Sequence, residues 1–217
     1  MVHSEWRLTK QDEIIAKDLL QNFTGNSIRE KGSLNLVKIH FGIKPIFVLD
    51  PTLLIILKTE KKIDKYYYLK IIRIFKYKKE YNGSYILTYI LRKEKNILNF
   101  IKYSSKHLKY KIYNIKLGEK NSIEKFIYGI KNCNTNSYHG TIFSIIFNKP
   151  FISFISKNSA KERFYSLKKT LEIKNRIVES NKFPSINLLN TPLNINQSLI
   201  NSLKIKSINF LYKSKRK

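Results

Sequence analysis

Asn136-Ser137-Tyr138-His139-Gly140-Thr141 places an imidazole, hydroxyls and a bare glycine side by side at the start of an apolar segment, Ile142 to Phe147. Asn136 or Ser137 can cap a helix there, because a short side-chain oxygen accepts one of the free first-turn N–H groups. Lys149 suits the negative end of that helix and Pro150 forbids its continuation. The polar run from Asn132 that leads in reads as a strand tip or loop, and Phe151 to Ile155 that leads out reads as a buried strand. The positive end of a buried helix beside a titratable ring is an anion site with a proton carrier next to it. The bland alternative is a capping histidine of purely structural use.

The elements that must hold this stretch are readable on both sides. Ile14, Ile15, Leu19 and Leu20 recur at helical spacing over Lys10 to Gln21, with Thr9 as N-cap. Ser27 to Glu30 reads as the end of a short strand. Ser33 to Phe41 follows as a helix closed by Gly42, and Ile46 to Leu49 as a strand broken by Asp50-Pro51. Residues 52 to 81 alternate apolar clusters with lysine runs and read as linker plus irregular helix. Beyond the Asn82-Gly83 turn the pattern predicts a strand (Ser84 to Leu91), a helix (Glu94 to His107), a strand (Lys111 to Ile115) and a helix (Ser122 to Gly129). Helices are predicted again over Ser159 to Leu171 and Gln197 to Lys213. Alternation of strand and helix predicts an α/β protein with a Rossmann-like parallel sheet, in which ligands meet the carboxyl ends of the strands. Ser137 to Thr141, Arg29 and Asp50 all follow strand-like segments and would lie at such ends.

The single cysteine, Cys133, excludes an internal disulfide and any multi-cysteine metal site. No stretch approaches the roughly 18 to 20 apolar residues of a membrane span, and a cytoplasmic setting is the default expectation. The formal net charge is +27. Lysine greatly outnumbers arginine, the lysines are dispersed, and isoleucine, asparagine and tyrosine are abundant together. That combination is what an AT-rich coding sequence gives, and it argues against a nucleic-acid footprint.

Several motifs together resemble the polysaccharide pyruvyl transferase family: Ser27-Ile28-Arg29-Glu30-Lys31, Val48-Leu49-Asp50-Pro51-Thr52, Asn136 to Ile152, Arg163 to Leu167, and Arg176-Ile177-Val178. Ser137-Tyr138-His139-Gly140-Thr141 with its helix is the most specific part. The resemblance implies a fold like that of B-type glycosyltransferases, with two Rossmann-like halves. It also implies transfer of an enolpyruvyl group from phosphoenolpyruvate to a sugar, commonly as a pyruvate ketal, in polysaccharide biosynthesis. Asn136 stands where the family often carries aspartate. Members usually begin with roughly a hundred further residues, the size of a compact domain. The expected division is therefore 1–55 as a remnant of an N-terminal domain, 56–82 as linker, 83–194 as the C-terminal domain and 195–217 as a helix with a basic tail.

This chemistry must protonate the methylene of phosphoenolpyruvate, stabilise an oxocarbenium-like centre and hold two anions. The resemblance makes His139 the general acid or phosphate partner. It assigns phosphoenolpyruvate to Ser137, Gly140, Thr141 and Arg29, and acceptor binding or structural support to Asp50 and Arg163. No metal and no cofactor is expected. The partners expected are the donor and a glycan or lipid-linked sugar, which would bring the protein to the inner face of a membrane, and a separate chain supplying the N-terminal domain. Arg29 could instead simply pair with Glu30 or Asp50. Two other classes stay open: a basic module for nucleic acid or anionic surfaces, and a catalytically inactive fragment of the family.

Overall fold

The computed structural model describes residues 9–55, 85–116, 130–157, 159–173 and 175–215. The expected linker over 56–82 and the expected helix over 122–129 lie outside them. Two compact units divide after Asp50 and before Gln197, so the C-terminal helix belongs with the N-terminal residues and Pro51–Asn196 form the other unit.

In the first unit, α1 (Lys10–Gln21) opens with a capping box: the Asp12 amide donates to the Thr9 hydroxyl at 3.1 Å and the Thr9 amide to the Asp12 carboxylate at 3.0 Å. Next come β1 (Ser27–Ile28), α2 (Ser33–Phe41) and β2 (Ile46–Phe47), with the two strands paired in parallel. Gly42 ends α2 at φ +70°, the left-handed conformation that glycine adopts without strain. Helix α1 meets α2 through a Glu13–His40 contact of 2.7 Å, yet neither helix buries a residue, and Ile14, Leu19 and Ile39 are more than half exposed. The last helix of the chain, which we number α7 (Gln197–Lys215), covers the small sheet. Its Ser207 hydroxyl accepts from the Leu49 amide at 3.0 Å. Gly25 sits so close beneath it that an added Cβ would lie 2.7 Å from Ser214 Oγ and 3.1 Å from the Phe210 ring.

The second unit is a Rossmann-like α/β layer. After α3 (Pro51–Ile55) its elements are β3 (Tyr85–Tyr89), α4 (Lys95–Leu108), β4 (Lys111–Asn114), β5 (Ile130–Thr135), α5 (Tyr138–Ile146), β6 (Phe151–Ile155), α6 (Lys161–Thr170) and β7 (Ile177–Glu179). The strands form an all-parallel sheet in the order β4-β3-β5-β6-β7. Ile97, Phe100 and Ile101 of α4 pack with Ile152, Phe154 and Leu189 on one face, the Phe100 and Phe154 rings meeting edge-on at 5.5 Å. Helix α5 covers the other face, where its Thr141 hydroxyl meets that of Ser153 at 2.6 Å.

Of the two readings of the polar run from Asn132, strand tip or loop, the structure shows strand: it is the carboxyl end of the central strand β5, with Asn132, Cys133, Asn134 and Thr135 fully buried. Asparagine disfavours strands locally, and here pairing with β3 and β6 on both sides overrides that preference. Cys133 is sealed within it, and burial pushes its thiol up to about 12.

Arg176, just before β7, fastens the segment that follows the sheet. Its guanidinium is 7% exposed and donates to the carbonyls of Leu188 (2.7 Å), Thr191 (2.8 Å) and Pro192 (3.0 Å) while leaning on the Phe151 ring. Hydrogen bonds from a charged donor contribute about 1.5–3 kcal/mol each. Arg176→Ala should therefore lower stability by at least about 3 kcal/mol, and Arg176→Lys, which lacks the planar fork, should recover only part of the loss. Denaturant melts of the three proteins measure this directly.

Candidate active site

In the second unit the chain winds from β3 out to β4 on one side and from β5 through β6 to β7 on the other. The carboxyl ends of β3 and β5 therefore flank a topological switch point, the place at which open α/β sheets bind their ligands. The residues that follow β5 are Asn136 to His139.

Asn136 ties this edge together. Its Oδ1 accepts from the Leu91 amide at 2.7 Å, and its Nδ2 donates to the Arg92 carbonyl at 2.7 Å and to Ser156 Oγ at 3.0 Å. One 5%-exposed amide thus joins the segments leaving β3, β5 and β6. A carboxylate could accept from Leu91 but could not donate to Arg92, so the asparagine serves a bonding pattern that aspartate cannot reproduce. Alongside, Thr135 Oγ1 donates to the Tyr89 carbonyl (2.6 Å) and accepts from the Ser137 amide (3.0 Å).

Helix α5 starts from this frame. Ser137 is its N-cap, accepting from the Gly140 amide at 3.3 Å. The Thr141 amide bonds to the Ser137 carbonyl at 3.0 Å, and the fully buried Thr141 hydroxyl bonds to that carbonyl and to Ser153. The Gly140 and Thr141 amides and the Ser137 and Thr141 hydroxyls are thus all engaged within the fold. Gly140 is bare because the sheet is close: a Cβ there would lie 2.5 Å from Thr135 Oγ1, an atom pinned by two hydrogen bonds of its own.

His139 is different. It is exposed in the first turn, and neither its ring nor its amide has a hydrogen-bond partner among the described residues. The second amide of a helix has no intrahelical acceptor, and the helix dipole adds partial positive charge there. Beneath it the Tyr138 ring is buried, 5.8 Å from the imidazole and 5.7 Å from the Phe164 ring. Arg163 of α6 lies over that same tyrosine at 5.2 Å. The structure therefore brings Arg163 to the site as a support for Tyr138.

Glu94, at the end of the loop after β3, escaped the sequence reading. Its carboxylate accepts from Ser180 Oγ, just past β7, at 2.5 Å. Burial raises its pKa, but hydrogen bonds from Ser180, Ser156 and the Lys157 amide, with the Lys157 charge, outweigh that and hold it below the usual glutamate value. Ser156 bonds to both Asn136 and Glu94, so one polar network runs along the sheet edge. An acidic residue at a strand's carboxyl end was the available signal for Glu94; Ser156 and Ser180 gave none.

In the first unit the structure brings Arg29 and Asp50 together. Arg29 Nη1 meets the buried Asp50 carboxylate at 2.8 Å and its Nε meets Glu30 at 3.0 Å, at the carboxyl ends of β1 and β2. Lys204 of α7, one turn before Ser207, is 6% exposed with no ion pair or hydrogen bond among the described residues, and burial lowers its pKa. Arg29 and Asp50 belong to one unit, and Ser137, His139, Gly140, Thr141 and Arg163 to the other. Among the described residues no three His, Cys, Asp or Glu side chains cluster as metal ligands.

A family model described as polysaccharide pyruvyl transferase matches residues 6–158, more than half of the chain. The match includes Arg29, Asp50 and His139 and stops before Arg163. No curated protein and no solved structure matches the chain.

Asn136→Asp puts a carboxylate oxygen against the Arg92 carbonyl. Loss of that donor should lower the melting temperature and cost about 1–3 kcal/mol, whereas Asn136→Gln should do no better because its amide is a methylene out of place. Calorimetry of both variants checks the expectation; an Asp variant as stable as the parent would contradict the three-way tie.

Proposed function

Because the chain belongs to the polysaccharide pyruvyl transferase family, we propose that it transfers the enolpyruvyl group of phosphoenolpyruvate to a sugar of a surface polysaccharide, leaving a pyruvate ketal. The observation that carries this reading is the exposed His139, without a hydrogen-bond partner among the described residues, at the open end of α5 beside the switch point.

The chemistry follows from the donor. A proton must reach C3, the methylene carbon, as a sugar hydroxyl adds to C2. The C2–O bond to phosphate then breaks, and a second hydroxyl of the same sugar closes the ketal. His139 is assigned delivery of the proton to C3, a task that suits imidazole because it is the side chain that gains and loses a proton most readily near neutral pH. The His139 amide and the positive end of α5 suit the departing phosphate or the carboxylate. Ser137 sets the start of the helix, Gly140 and Thr141 fix it to the sheet, and Arg163 steadies Tyr138 beneath the imidazole. At the carboxyl edge of its own small sheet, Arg29, oriented by Asp50, is assigned an anionic group of the substrate.

Phosphate release from phosphoenolpyruvate in the presence of candidate sugar acceptors tests the proposal. His139→Ala should lower the rate by at least about a hundredfold, the usual contribution of a positioned general acid. An unchanged rate in that variant, with its fold intact, would remove His139 from the mechanism.

A further inference from the structure

Helix α7, 19 residues long, carries an outer face that the proposed chemistry does not use. Ile205 and Tyr212, seven residues apart on one row, are 61% and 59% exposed, and Lys206 and Lys213 form the next row beside them. Along one side the helix lines an open hollow of about 760 Å³, closed opposite by Lys44, Ile46 and the turn at Gly25. Among the described residues none that lines the hollow is acidic. No acidic residue occurs anywhere in the sequence after Glu179, although Lys182, Lys204, Lys206, Lys213, Lys215, Arg216 and Lys217 all do.

We propose that this face docks on the surface of an anionic lipid bilayer, with α7 lying along the interface and Lys44, Lys206 and Lys213 receiving headgroup phosphates. Three observations favour this occupant. Charge is of one sign over the hollow and over the whole C-terminal segment, as phosphate-bearing headgroups require. The large apolar side chains of Ile205 and Tyr212 stand exposed beside the lysines, and these gain by entering the acyl boundary but gain nothing from a polyphosphate backbone. A tyrosine in the same row presents an apolar ring with a polar tip, which suits the headgroup level. No helix among the described residues is long and apolar enough to cross a membrane, so α7 would lie on the bilayer and not span it. This inference concerns the first unit alone and does not depend on the transferase reading.

Co-sedimentation of the full chain with phosphatidylcholine vesicles, with and without phosphatidylglycerol, tests it. Binding should require phosphatidylglycerol. The double variant Lys206→Gln/Lys213→Gln should weaken it by about thirtyfold, while Lys102→Gln/Lys106→Gln, an equal charge change on exposed residues of α4, should weaken it less than about twofold. Ile205→Ser/Tyr212→Ser should release the protein at lower salt than the parent. The proposal fails if the parent ignores anionic vesicles, if both lysine pairs weaken binding equally, or if duplex DNA is held as tightly through the same pair.

Discussion

The carboxyl edge of the larger sheet depends on a single amide. Asn136 accepts from one strand's exit loop and donates to that loop and to another, so the positions of Leu91, Arg92 and Ser156 are fixed relative to β5. From that point Thr135 holds Ser137, Ser137 starts α5, and the start of α5 decides where His139 stands. An exposed ring on a rigid helix is positioned by everything under it, which is how a protein places a proton carrier without burying it. The second network member, Glu94, shares Ser156 with the amide and carries the constraint on to β7.

Much of this was legible from residue types. The bounds of α1 and α2 follow from Thr9 with Asp12 at one end and Gly42 at the other, because caps and left-handed glycines act within a few residues. Ser137 as cap and Pro150 as terminator fixed the bounds of α5 for the same reason. What escaped was set by distant parts of the chain. Strand β5 reads as polar and irregular because nothing local marks Asn132 and Asn134 as interior; two neighbouring strands put them there. Helix α7 joins the first unit through a bond between Leu49 and Ser207, a pairing across the length of the chain that no periodicity reveals. Gly140 lacks a side chain because Thr135 Oγ1 leaves no room for a Cβ, a constraint set across the sheet.

The electrostatics divide in the same way. Among the described residues most lysines are exposed and carry little structural consequence. The informative cations are those that the fold buries or pairs. Arg176 is buried against carbonyls and fastens a segment; Arg29 is held between two carboxylates; Lys204 is buried with no ion pair among the described residues, and burial lowers its pKa. Composition could not separate these from the rest, because a lysine count says nothing about which side chains the fold removes from solvent.

The central claim is that the start of α5, at the switch point, is where a phosphorylated three-carbon acid binds. Amide and imidazole resonances followed by NMR as phosphoenolpyruvate is added to the full chain test it most directly. The account predicts that the His139 amide and ring shift first, saturably, and together. Saturable shifts elsewhere with His139 unmoved would contradict it.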